Sequence, residues 1–151
     1  MKKYIIIGIG SFALVLIIGL GAYFGLQLLN KNTLYCSSNN DVNRVVIEQN
    51  YVIKFDNDVV NNVTATKKYT YEDQARFDTF SNIVAKGNDA NMASLKNNNI
   101  DFNSNINGKT YSTTLKVNVK DANKENLSKI GLDKSLKVVN ENLKTQGLVC
   151  K

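Results

Sequence analysis

Histidine, tryptophan and proline are missing altogether from this 151-residue chain, and cysteine occurs only twice. Without histidine, the commonest general base and the commonest transition-metal ligand are gone. No Ser-His-Asp set, Cys-His pair or histidine-bearing zinc site can be assembled. Paired carboxylates remain as a route to hydrolysis. Asp56 with Asp58 and Glu72 with Asp73 are the two candidate pairs, but each falls where turn formation or helix capping already accounts for acidic residues. Asp56-Asn57-Asp58 is not a calcium loop either, because Asn61 and Lys67 stand where an EF-hand requires Gly and Glu. The expectation is a protein that is not an enzyme and uses no cofactor or metal.

Charge is absent from residues 4–29, a run of 26 positions in which Gln27 is the one strongly polar side chain. At about 1.5 Å per helical residue such a run exceeds the ~30 Å hydrocarbon core. Lys2, Lys3 and the amino terminus precede it and only Lys31 follows closely, so the basic bias keeps the N-terminus in the cytoplasm. This predicts residues 1–33 as a transmembrane anchor or uncleaved signal segment and residues 34–151 as an extracytoplasmic domain of a single-pass cell-membrane protein. A cleavable leader competes with that reading, but the run is long and no Ala-x-Ala site follows. Lipidation at Cys36 conflicts with the bulky Tyr35 before it and with polar residues 30–33, and a pilin-type leader would need Glu where Val15 stands. Gly21 and Gly25 form a Gly-x-x-x-Gly pair, a candidate helix–helix contact.

Three of the 19 basic residues belong to the first 33 positions, which leaves 16 against 13 acidic in the remainder, or +3. That excess is too small to argue for nucleic acid. The two cysteines, Cys36 and Cys150, bracket the same remainder, and outside the cytoplasm they are expected to pair as a disulfide. Asn is abundant, as in Asn97-Asn98-Asn99, and fits turn positions that require left-handed backbone.

Alternation organises the remainder. Val45, Ile47, Tyr51, Ile53 and Phe55 share one face of an extended segment; after Asp56-Asn57-Asp58, Val59, Val63, Ala65, Tyr69 and Tyr71 resume the period as a long hairpin. Thr70-Tyr71-Glu72-Asp73 then reads as a helix start from about Glu72, with Phe77, Phe80, Ile83 and Val84 on the packed face and Gly87 at its end. A short helix is expected within residues 88–99. Asn107-Gly108 joins Ile100, Phe102 and Ile106 to Tyr111, Thr113, Leu115, Val117 and Val119 as a second hairpin. Leu127 and Ile130 suggest a turn or two of helix. A final helix from near Asp133 buries Leu136, Val139 and Leu143, ends at Gly147, and returns Cys150 towards Cys36. The predicted class is α+β: the N-terminal transmembrane helix, then an antiparallel sheet of about four strands in two hairpins with two main helices on one face.

Leu34-Tyr35-Cys36, Tyr69-Thr70-Tyr71, residues 109–119 and Leu148-Val149-Cys150-Lys151 together resemble, as a layout, the YehR-like small bacterial lipoproteins and membrane-anchored surface proteins. The resemblance implies a small α+β domain at the cell surface. It departs from the lipoprotein pattern at Cys36, which lacks a lipobox. The functional expectation is a non-catalytic binding or interaction module at the bacterial cell surface, partnered by the membrane through one helix and by an unidentified envelope protein. The alternatives are a secreted or lipid-anchored form of the same domain, or an accessory to membrane assembly acting through its helix. The sheet face bearing Glu48, Asn50, Lys54, Lys116, Asn118 and Lys120 reads as solvated.

Overall fold

β-branched and aromatic residues recurring along one face build the two longest strands, β2 (Val45–Asp56) and β3 (Val59–Tyr71). The computed structural model describes residues 32–97 and 99–151. Among them the other strands are β1 (Thr33–Val42), β4 (Ile100–Asn107), β5 (Thr110–Asn118) and the two-residue β6 (Val149–Cys150). All neighbours pair antiparallel in one six-stranded sheet of order β4-β5-β3-β2-β1-β6.

This corrects the expected four-stranded α+β layout in several places. Residues 33–42 are too polar to signal a strand, with Ser37-Ser38-Asn39-Asn40-Asp41 in sequence, yet all of them pair with residues 45–54 of β2. The pairing is set by a two-residue turn in which Asn43 and Arg44 both take positive φ, at 53° and 65°, the backbone that matches strand twist. Asn57 and Asp58 do the same between β2 and β3, at 47° and 63°. Within β3 the register shifts opposite Lys54 and Phe55, leaving Asn61 unpaired with β2. That bulge puts Val60 in the core and leaves Val59, the residue expected there, about half exposed.

Helices are short and lie on the sheet's one covered face. Asp73 caps α1 (Gln74–Phe80) by accepting from the Arg76 amide at 2.8 Å, so the helix begins beyond Glu72. Ser81–Ala85 follows as π-helix, and α2 (Lys86–Leu95) continues the same run. A wider π turn rotates the later side chains relative to an α-helix. Ala85 therefore faces the sheet while Ile83 and Val84, expected in the core, are exposed. Gly87 lies inside α2 and does not end a helix.

α3 (Lys124–Lys129) and α4 (Leu136–Thr145) are capped by Asn123 and Ser135. Gly147, at φ 84°, closes α4 by donating to Lys144 while Leu148 donates to Leu143, the paired bonds of a Schellman end. Leu148 is thereby buried and β6 is aimed at β1.

Among the described residues no helix is long and apolar enough to cross a membrane. On that finding the single-pass cell-membrane localisation, with cytoplasmic N-terminus and extracellular C-terminal domain, is not retained, nor is the transmembrane helix as part of the fold class. Residues 4–29, on which both rested, lie outside the described residues, and so do Gly21 and Gly25.

Cys36 and Cys150 face each other across β1 and β6 and form a disulfide spanning 114 positions. Replacing both with Ser is expected to lower unfolding free energy by about 2–5 kcal/mol, read from urea denaturation. Gly87→Ala has open space for its methyl group and should raise stability by roughly 0.5–1 kcal/mol in the same assay, because the unfolded chain loses freedom.

Candidate functional site

Antiparallel register lines up side chains across the covered face in rows. One row runs Cys36, Tyr51, Ala65, Leu115, Phe102, and another runs Asn40, Ile47, Tyr69, Tyr111, Ile106. Between them lies a polar row, Ser38, Gln49, Lys67, Thr113, Ser104. All but Ser104 are half-buried. Polar residues are unusual in the middle of a sheet's packed face, where alternation normally places apolar ones.

The polar row separates two cores. On one side Ile53, Val60, Val63, Ile100, Val117 and Val119 pack with Leu127, Val139, Leu143 and Leu148 from the C-terminal helices and the chain that follows them. On the other, Phe77 and Ala85 pack with Tyr111, joined by Tyr69, Tyr71 and Phe80. The aromatic rings there are in contact, with Phe80 centred 5.0 Å from Tyr71, 5.6 Å from Tyr111 and 5.8 Å from Tyr69. Distances of 4.5–7 Å are those at which aromatic pairs attract beyond simple burial.

A cleft of about 280 Å³ opens between the two cores. Its floor is the sheet, from Tyr51, Ala65 and Lys67 across to Tyr111, Thr113 and Leu115. Phe80, Val84, Asn88 and Met92 from the helical run form one wall, and Lys129 and Ile130 the other. The volume falls near the lower end for small-molecule pockets, roughly 300–1,000 Å³, and the mixture of apolar lining with a few polar groups is typical of them.

A hydrogen-bonded clasp holds the first wall against the sheet. Tyr111 donates its hydroxyl to Asp89 Oδ1 at 2.5 Å and accepts from Asn88 Nδ2 at 2.9 Å, while Ser104 donates to Asp89 Oδ2 at 2.9 Å. Burial, then the bond to Asp89, pushes the Tyr111 hydroxyl up to about 12. Burial likewise raises Tyr51, and raises Tyr71 together with the nearby Tyr69. Lower down, the helical run is tied to the strand ends: Arg76 donates to the Asn43 carbonyl at 3.0 Å, and Lys109 donates to the Glu72 carbonyl.

The residues expected from sequence are distributed differently. Cys36 and Cys150 come together as the disulfide, at one margin of the larger core. Asp56 and Asp58 stay at the β2–β3 turn, where Asp58 carries positive φ and its carbonyl accepts from Leu136. Glu72 pairs with Arg44 at 3.5 Å, and Asp73 caps α1. Glu48, Asn50, Lys54, Lys116, Asn118 and Lys120 do not enter the cleft; Glu48 pairs with Lys68 at 2.9 Å. Lys67, Thr113 and the Tyr111–Asp89 clasp were not anticipated. The available signal was Lys67 itself, a charge at a core-facing position of the Ala65–Tyr69 alternation.

No family model and no curated protein matches the chain. Among solved structures it is similar to the NMR structure of the protein from Streptococcus pneumoniae TIGR4, at 12% identity over 80% of this chain and 87% of that one, with a TM-score of 0.46. None of this bears on the YehR-like resemblance.

Burial of the Tyr111 hydroxyl, and then its bond to Asp89, makes stability depend on pH in the alkaline range. Tyr111 has its folded pKa raised above the ordinary value near 10, so its contribution is complete below the unfolded pKa and is lost as pH rises towards about 12. Tyr111→Phe should flatten the decline in unfolding free energy across that window. An unchanged decline in the variant would show that Tyr111 does not carry it.

Proposed function

We propose that Thr33–Lys151 is a non-catalytic binding module of an oxidising, extracytoplasmic compartment, taking a small ligand with an apolar body into the cleft between its two cores. The carrying observation is the placement of the cleft. It lies over the centre of the sheet, is walled by separate helical elements, and is lined by Phe80, Met92, Phe102, Leu115 and Ile130 beside Lys67, Thr113 and Asn88. Apolar walls supply affinity and the few polar groups fix orientation, the division of labour general to small-molecule sites.

Binding without chemistry is supported by what the available side chains are doing. The chain has no histidine. Its two cysteines are joined to each other, so neither offers a thiolate. Asp89, the carboxylate at the first wall, already accepts from Tyr111 and Ser104. The oxidising compartment is supported by the disulfide, since such bonds persist where cytosolic reductants do not reach.

The test is a titration of the full chain, disulfide intact, with three neutral amides: naphthalene-carboxamide, indoleacetamide and octanamide. NMR shifts are expected at Tyr69, Tyr111, Thr113 and Leu115 for at least one amide, and Met92→Trp, which narrows the wall, should weaken them. Shifts confined to residues outside the cleft, or none with any amide or its parent carboxylic acid, would overturn the reading.

A further inference from the structure

Lys67 is placed unlike every other basic residue that the sheet carries. Its side chain belongs to the covered face, half-buried on the cleft floor, with Gln49 and Thr113 as its lateral neighbours in register. No ion pair or side-chain hydrogen bond involves it among the described residues, whose pairs are Arg44–Glu72, Lys68–Glu48, Arg76–Asp73, Lys96–Asp101 and Lys129–Glu125. Lys68, the next residue, points to the opposite face and has its partner Glu48 at 2.9 Å. A partly desolvated cation gains most from an anion brought to it, because the low-polarity surroundings strengthen the attraction.

The other charged groups around the cleft are already engaged. Asp89 receives hydrogen bonds from Tyr111 and Ser104, and Lys129 is bonded to Glu125 at 2.7 Å. One cation is therefore left on the floor, with the Thr113 hydroxyl beside it as a second donor. Around that donor pair the lining is aromatic and aliphatic, and the space, about 280 Å³, admits a small molecule rather than a folded segment.

Resting on the binding reading above, we infer that the ligand is a small amphipathic carboxylate whose single negative group is held by Lys67 and Thr113. Its apolar body lies between Phe80 and Met92 on one side and Ile130 on the other. Lys67 fixes the orientation: the charged end goes to the middle of the sheet and the apolar end towards the helical wall.

The experiment uses matched pairs, naphthoate with naphthalene-carboxamide, indoleacetate with indoleacetamide and octanoate with octanamide, titrated calorimetrically into the full disulfide-bonded chain. At least one acid should bind about tenfold or more tightly than its amide. Lys67→Met should remove that preference, so that acid and amide bind alike, and Lys67→Arg should restore part of it, which also guards against a variant that merely misfolds. Amides binding as well as acids, with Lys67→Met without effect, would overturn the carboxylate inference and leave the cleft reading standing. Binding of neither series would overturn both.

Discussion

The register of β3 is the constraint from which the rest of the architecture follows. It is hydrogen-bonded to β2 on one side and β5 on the other. A slip of one residue against either neighbour would send its whole core-facing set to the solvent. The bulge at Asn61 belongs to that register. It brings both Val60 and Val63 into the core, and the freed Asn61 carbonyl accepts from the amides of Val119 and Lys120. The bulge thereby also fixes where the chain leaves β5 and where α3 begins. Because Val63, Ala65, Tyr69 and Tyr71 must face the core, Lys67 must face it too.

Two cores on one sheet face are the packing consequence. The helical run 74–95 follows β3 directly and covers the Tyr69–Tyr111 end, while α3 and α4 follow β5 and cover the Ile53–Val117 end. Each group is held by its own fastenings. The first has the aromatic cluster and the Asp89 clasp. The second has the Schellman end at Gly147, the bond from Leu136 to the Asp58 carbonyl, and the disulfide that ties β6 to β1. Neither set of fastenings reaches across the polar row, so the two groups leave the middle of the sheet uncovered between them.

The hairpins were legible because alternation and turn chemistry agree there. Asn57-Asp58 and Gly108 supply the positive φ that two-residue loops need, and the flanking Val, Ile and Tyr residues keep the period everywhere but at the Asn61 bulge. The terminal helix was legible for the same reason, with Leu136, Val139 and Leu143 at helical spacing and Gly147 beyond them. β1 was not legible, since Ser37–Asp41 carries no apolar signal and forms a strand only because β2 offers a full-length partner. The π segment at Ser81–Ala85 was hidden as well. Local spacing places Ile83 and Val84 with Phe77 and Phe80, and only the three-dimensional fit of Ala85 against the tyrosines reveals the change of face. The disulfide was read from the compartment argument and from the position of each cysteine, whereas the cleft depends on lateral register among five strands, which no single segment displays.

Lateral register also explains why the cleft persists as the sheet is covered. Had Gln49, Lys67 and Thr113 been apolar, the row would have merged the two cores, and the helices would have gained by closing over it. With Lys67 there, closure would remove a cation from water without a partner, a cost of several kcal/mol that the added apolar contact of one row does not offset. Thr113 adds a smaller penalty of the same sign, because a buried hydroxyl without a partner also loses its hydration, while Gln49 keeps a hydrogen bond to Ser38 at 3.4 Å. The polar row thus acts as a spacer that keeps the helical groups apart. An incoming molecule that satisfies Lys67 while covering Leu115 and Phe102 would lift the penalty that holds the walls open. A carboxylate on an apolar body does both at once, whereas a neutral molecule of the same shape covers the apolar residues but leaves the cation without a partner.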